Sequence, residues 1–225
     1  MRRIFVLLAL VLAAAASTAT AAAAAERFPI LQPEQMNAEQ KKLLDALLAG
    51  PRGGGDAGPE AAQQMLRRGP FNAWMRSPDL GNRLQNVGAY IRYKTSLPLR
   101  LNEFAILITA REWTSQYEWY AHYPLAMKAG LGTLADELAL GKRPSAMKDD
   151  EAAVYDFCIE LHRTRKVDDA AFNRALALFG EQGVVDLIGV SGYYTAVSMT
   201  LNVAQVMPPD GVPPPLKPLD GARSE

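Results

Sequence analysis

From residue 37 onward, apolar positions recur three and four apart, and the every-second-residue alternation of a half-buried strand is absent. The spacing predicts a short helix over 37–48, capped by Asn37, with Leu43, Leu44, Leu47 and Leu48 as its apolar stripe. Residues 50–59, GPRGGGDAGP, read as a flexible loop, either a lid over a pocket or a plain connector. A turn-helix follows over 69–74. From Pro78 a longer helix places Leu80, Leu84, Val87 and Ile91 on one face and ends before Leu97-Pro98.

The centre of the pattern is a helix pair. Residues 100–113 are apolar nearly all round, which predicts burial on every side. Residues 116–129 follow after Thr114-Ser115, with Gly130 as the stop. Further helices are expected over 133–140, 148–165 and 168–179, the last capped by Asp168 after a tight polar turn from Arg165. A long apolar helix over 181–206 carries Gly189 and Gly192, where another backbone could approach closely. From Pro208, PPDGVPPPLKP cannot continue a helix and reads as a polyproline-like tail over 208–225. The lead-in 26–35 is extended, with Pro29 and Pro33. No strand set, heptad array or internal repeat emerges, so the fold class is an all-α, compact multi-helix bundle in one domain, 26–207.

Residues 1–25 follow another grammar. Arg2 and Arg3 precede an apolar run over 4–12 and an alanine-rich stretch with Ala-x-Ala sites ending at Ala21 or Ala25. This is the pattern of a secretory signal, predicting export to the periplasm. An uncleaved anchor is the alternative, because 4–25 is just long enough to span; Ala, Ser and Thr favour insertion little, and cleavage is the reading taken. No later segment is expected to span, so no stable membrane insertion follows cleavage. Without Arg2 and Arg3 the chain holds 22 basic and 24 acidic residues, a net charge of −2. No basic block or basic–aromatic interleaving points to nucleic acid. Cys158 is the single cysteine, in the apolar context VYDFCIELH, which excludes an intramolecular disulfide. It reads as a buried small residue rather than a reactive thiol.

Candidate chemistry concentrates in the helix pair. Glu118 and His122 are four apart and share a helical face. A carboxylate beside an imidazole favours the imidazolium and orients the ring, as acid/base work requires. Glu103 lies within EFAILITA, where an unpaired carboxylate would be costly to bury, and His122 is the natural partner on the facing helix. A structural hydrogen-bonded pair satisfies the same spacing. Tyr117, Trp119, Tyr120 and Tyr123 either pack a core or interface, or wall a pocket for a planar ligand. Pro124 removes the hydrogen bond to the carbonyl of Tyr120 and predicts a kink beside His122. His162 is expected on a solvated face, and Asp149, Asp150 and Glu151 as a helix N-terminal charge run. Ser191 lacks the preceding strand of a nucleophile elbow. No phosphate loop, dinucleotide fingerprint or zinc spacing occurs; one histidine with two carboxylates is an unspecific metal set, so no metal and no cofactor are expected.

Two stretches carry a family resemblance. LPLRLNEFAILITAREWTSQYEWYAHYPLAMKAGL resembles the signature segment of the carboxymuconolactone decarboxylase-like family, and DDAAFNRALALFGEQGVVDLIGVSGYYTAVSMTLNVAQV resembles the second half of the same domain. Taken with the intervening helices, the resemblance covers roughly 36–206 and implies the alkylhydroperoxidase D-like helical fold. In the peroxidase branch a Cys-x-x-Cys pair is followed by a histidine four residues later and preceded by a glutamate twelve earlier. Carried onto this chain, the histidine falls on His122 and the glutamate on Glu103, but Ser115 and Glu118 stand at the cysteine positions. Thiol peroxide reduction needs a thiolate and a resolving partner, and neither residue supplies one. The lactone decarboxylase branch has Glu-x-x-x-His in this helix, which Glu118 and His122 reproduce.

That branch implies a cofactor-free lyase working on a small carboxylate or lactone. His122, Glu118 and Glu103 would handle protons and a cationic group would hold the substrate's anionic group; Arg111 and Arg100 are near in sequence and Arg100 is taken as that clamp, with Ser115, Tyr117 and Trp119 beside it. The resemblance also implies homo-oligomers. Two other readings stay open: a catalytically silent helical binding or assembly module, and a thiol peroxidase working through Cys158. A ligand-sized cavity reaching His122 favours the enzyme; a solidly packed cluster favours the module.

Overall fold

A computed structural model describes residues 27–219; the expected leader, 1–25, lies outside the described residues. Among those residues every regular element is helical. In chain order they are α1 (Ala38–Ala49), α2 (Pro59–Leu66), α3 (Phe71–Trp74), α4 (Pro78–Tyr93), α5 (Leu99–Glu112), α6 (Gln116–Lys128), α7 (Gly132–Ala139), α8 (Asp149–Thr164) and α9 (Asp169–Ala204). A single 3₁₀ turn, Pro33–Gln35, precedes them.

α5 is the axis of the fold. Every residue from Leu101 to Arg111 is buried, as its largely apolar sequence favours, and α6, α8 and α9 pack around it. α1 begins at a capping box: the Asn37 side chain accepts from the Gln40 amide at 2.9 Å, and the Gln40 side chain accepts from the Asn37 amide at 3.0 Å. Asp168 caps α9 by accepting from the Ala171 amide at 2.8 Å. The two helices expected over 168–179 and 181–206 run on as α9, broken at Gly180, whose φ of 67° suits a residue without Cβ. α6 continues through Pro124 without interruption.

Several expectations need correcting. α2 was not foreseen beyond the glycine-rich loop. α4 turns a different face inward: Leu80 and Val87 are 53% and 50% exposed, while Gly81, Gln85, Gly88 and Ile91 are buried. The reason is close packing, since Gly81 sits against Trp74 and Leu43, and Gly88 against Tyr193 and Arg52. Gly189 meets the Ile91 side chain rather than a backbone, and Gly192 faces open space. His162 is half-buried, its Nε2 lying 3.0 Å from the Thr109 hydroxyl; burial lowers its pKa. The tail doubles back: Leu216 is buried, its backbone makes two hydrogen bonds to the Gln116 side chain, and Arg111 donates to the Lys217 carbonyl. By length and composition α9 could cross a membrane, contrary to expectation, but 56% of its most apolar window is buried inside the fold.

Candidate active site

α5 and α6 are joined by a three-residue turn, Trp113, Thr114 and Ser115, in which Thr114 takes a positive φ of 45°. The reversal is tight enough to set the middle of α5 against the second turn of α6. Glu103 and His122 thereby meet, His122 Nδ1 lying 2.7 Å from Glu103 Oε2. One turn back on α6, Glu118 Oε2 lies 3.4 Å from His122 Nε2. Glu103, Glu118 and His122 are 1%, 4% and 2% exposed. The Tyr194 ring of α9 stands edge-on to the imidazole, with centroids 5.1 Å apart.

The two carboxylates are not equivalent. The short contact between Glu103 and Nδ1 fixes the ring, so Nε2 is the nitrogen turned toward Glu118. Glu118 Oε2 is buried and makes no well-aligned hydrogen bond. Burial raises the Glu118 pKa; His122 and Arg92 pull it down, Glu103 pushes it further up, and Arg52 pulls it down again. Burial outweighs the cations. The site therefore pairs an oriented imidazole with a carboxyl biased toward its protonated form, the separation of roles that acid/base chemistry uses.

A cavity of about 990 Å³ reaches both His122 and Glu118. It is at the upper end of ligand-site volumes. Its walls also carry Tyr193 and Tyr194 of α9, and four arginines: Arg52, Arg67, Arg68 and Arg92. Burial pushes the Tyr193 phenol up to about 12 and the Tyr194 phenol well above its usual value, so both stay neutral donors at ordinary pH. Arg92 is held charged: burial opposes its charge, but Tyr194, Tyr93, Glu103 and Glu118 raise its pKa overall.

The remaining expected site residues part company. Tyr117 lines the cavity. Trp119 does not; it is buried, stacks on Tyr123 at 6.1 Å, and borders a smaller pocket beside Pro215. Ser115 precedes α6, fully buried, with its hydroxyl unpartnered and off the cavity. Arg100 is corrected: it is bound to Asp150 and Glu151 in the first turn of α8 and does not line the cavity. Cys158 is fully buried away from it, 3.5 Å from Ser191, and burial pushes its thiol up to about 12.

Arg52, Arg92, Tyr193 and Tyr194 were missed as site residues. The signals were faint: Arg52 sits alone in the glycine-rich loop, and the tyrosines sit in the GVSGYY segment. Among the described residues no group of three His, Cys, Asp or Glu side chains is placed to hold a metal ion. No protein-family model, curated protein or solved structure matches the chain.

Proposed function

We propose that this protein is a cofactor-free acid/base enzyme of the carboxymuconolactone decarboxylase-like kind, acting on a small carboxylate or lactone in the cavity beside His122. The observation that carries the reading is the coincidence of three things. A buried relay, Glu103–His122–Glu118, opens on a ligand-sized cavity, and that cavity is walled by arginines.

The arginines draw in an anionic substrate. In a decarboxylation, the bond between the carboxylate carbon and the ring breaks and carbon dioxide leaves. The bonding electrons pass to the conjugated carbonyl oxygen, where a protonated Glu118 supplies a hydrogen bond. His122, as the imidazolium, then delivers its Nε2 proton to the carbon and takes a replacement proton from solvent, its ring held by Glu103. For an isomerisation the same imidazole first removes the proton that it later returns. No step needs a thiol, in keeping with the buried, neutral Cys158.

The alkylhydroperoxidase D-like arrangement, export to the periplasm and homo-oligomer formation belong to the same proposal. Exposed Val87 and Tyr90 on α4 and Val185 and Ile188 on α9 favour a helical assembly surface. A purely assembly-forming module remains the second reading on that observation. The two part in a screen of the purified mature protein against small lactones and keto-acids. The enzyme reading expects turnover by the wild type and none by a folded His122→Gln variant; equal rates would sink it.

A further inference from the structure

Arg52 is unlike the other charged side chains that reach the interior. It stands on the loop 50–58, where Gly53 packs so tightly that a Cβ would fall 1.9 Å from the Leu48 carbonyl oxygen. That close turn sends the Arg52 side chain back over α4. There one N–H donates to the Gln85 carbonyl at 3.1 Å, another donates to the Tyr193 hydroxyl, and the guanidinium lies 5.7 Å from the Phe71 ring centre. Among the described residues no carboxylate lies within ion-pair distance of it.

A guanidinium has five N–H donors, and only two of these find partners. Half-burying a cation without a counter-ion is unfavourable unless something else supplies the charge. Arg92 sits in the field of both Glu103 and Glu118, whereas Arg52 feels Glu118 alone and more weakly. Arg67 and Arg68 are exposed on the rim.

Tyr193 completes the arrangement. Its oxygen accepts from Arg52, which leaves its own hydroxyl proton free to donate. Both tips converge over Gly88: a Cβ there would stand 2.0 Å from the Tyr193 hydroxyl and 2.6 Å from Arg52 Nη2. The missing side chain at Gly88 is what admits the pair to the cavity wall.

We propose that Arg52, with the Tyr193 hydroxyl as second donor, docks the carboxylate of the ligand and so determines which small molecules the cavity accepts. The assignment rests on the reading of this cavity as a substrate site. A carboxylate takes two parallel donors, and the guanidinium edge beside a phenol presents them already oriented. Arg52 is also within electrostatic reach of Glu118. An anion docked on Arg52 therefore lies near the acid/base pair and offsets the small pull of Arg52 toward the ionised Glu118, further favouring the protonated carboxyl that the chemistry uses.

The test uses two fluorescent probes of one skeleton: anilinonaphthalene sulfonate, an aromatic anion, and N-phenylnaphthylamine, which lacks the charge. Arg52→Gln in the mature protein should weaken the anionic probe about tenfold, the size expected for a charge-assisted hydrogen bond. The neutral probe should change by less than about twofold, as for a substitution that spares packing. Arg52→Lys should recover part of the loss. Gly88→Ala keeps the charge but pushes both flexible tips aside, and should reproduce the selective loss. Equal losses for both probes, unchanged anion binding in Arg52→Gln or Gly88→Ala, or no anion binding by the wild type would each overturn the assignment. Selective loss in Arg52→Gln without turnover of any lactone or keto-acid sinks only the enzyme reading. Turnover whose KM ignores Arg52→Gln sinks only this one.

Discussion

Two charged clusters hang on α5, one at each end of a single turn, and they behave oppositely. At Arg100 the cation is met by Asp150 and Glu151 of α8, while Glu151 also accepts from the Lys148 amide. That cluster closes on itself and ties α5 to α8. At Glu103 the carboxylate is met by His122, but His122 passes on to a Glu118 whose Oε2 faces the imidazole at 3.4 Å without an aligned hydrogen bond and which borders the cavity. The first cluster is complete without a ligand, and the second is not. An ionisable residue in an apolar helix is thus a weak sign of function until its partners are counted.

The contrast breaks most sharply under paired substitution. Glu103→Gln should cut turnover by about 10²–10⁴, the range for losing an oriented acid/base group, with the fold retained by circular dichroism. Arg100→Gln should leave turnover within about threefold while lowering unfolding free energy by about 1–3 kcal/mol, since it strands the buried Glu151. Urea melts and rates measured on both variants decide; a turnover loss in Arg100→Gln as large as in Glu103→Gln would erase the distinction.

A smaller effect separates the clusters by pH. Burial raises the Glu118 pKa above its unfolded value. Between the unfolded and folded values the unfolded chain has released this proton and the native chain has kept it. The native state binds more protons, so stability falls as pH rises through that window. Glu118→Gln should remove that part of the decline in pH-dependent urea melts. A wild-type profile with the same slope as the variant would contradict the assigned direction.

The smallest effect is at Cys158. With its thiol buried and pushed up to about 12, it should resist labelling by a disulfide reagent in the native protein and react only on unfolding. Cys158→Ala should leave peroxide consumption unchanged. Rapid native labelling, or peroxide consumption lost with the thiol, would revive the peroxidase reading.

Much of this was legible along the chain because helices write a 3.6-residue period, and the i,i+4 placement of Glu118 and His122 follows from that period alone. Glu103 was legible for a different reason: a carboxylate in EFAILITA must find a partner. What escaped depends on rotation and reach. α4 was assigned its apolar face, yet Gly81 and Gly88 let bulkier neighbours press against the other side, leaving Leu80 and Val87 outside. Arg100 and Arg52 are alike on paper. Only the packing of α8 onto α5 neutralises one, and only the turn at Gly53 and the gap at Gly88 bring the other to the cavity. Of the four residues expected around the substrate, Arg100, Ser115, Tyr117 and Trp119, only Tyr117 lines the cavity.

The central claim is that His122 moves protons to or from a substrate carbon, with no electron chemistry. The most direct measurement runs the wild type and His122→Gln in deuterium oxide with whichever lactone or keto-acid the wild type converts, and reads the product by mass spectrometry. The account predicts one solvent-derived deuterium at the reacting carbon with the wild type and no product with the variant. Deuterated product formed equally fast without the imidazole would contradict it.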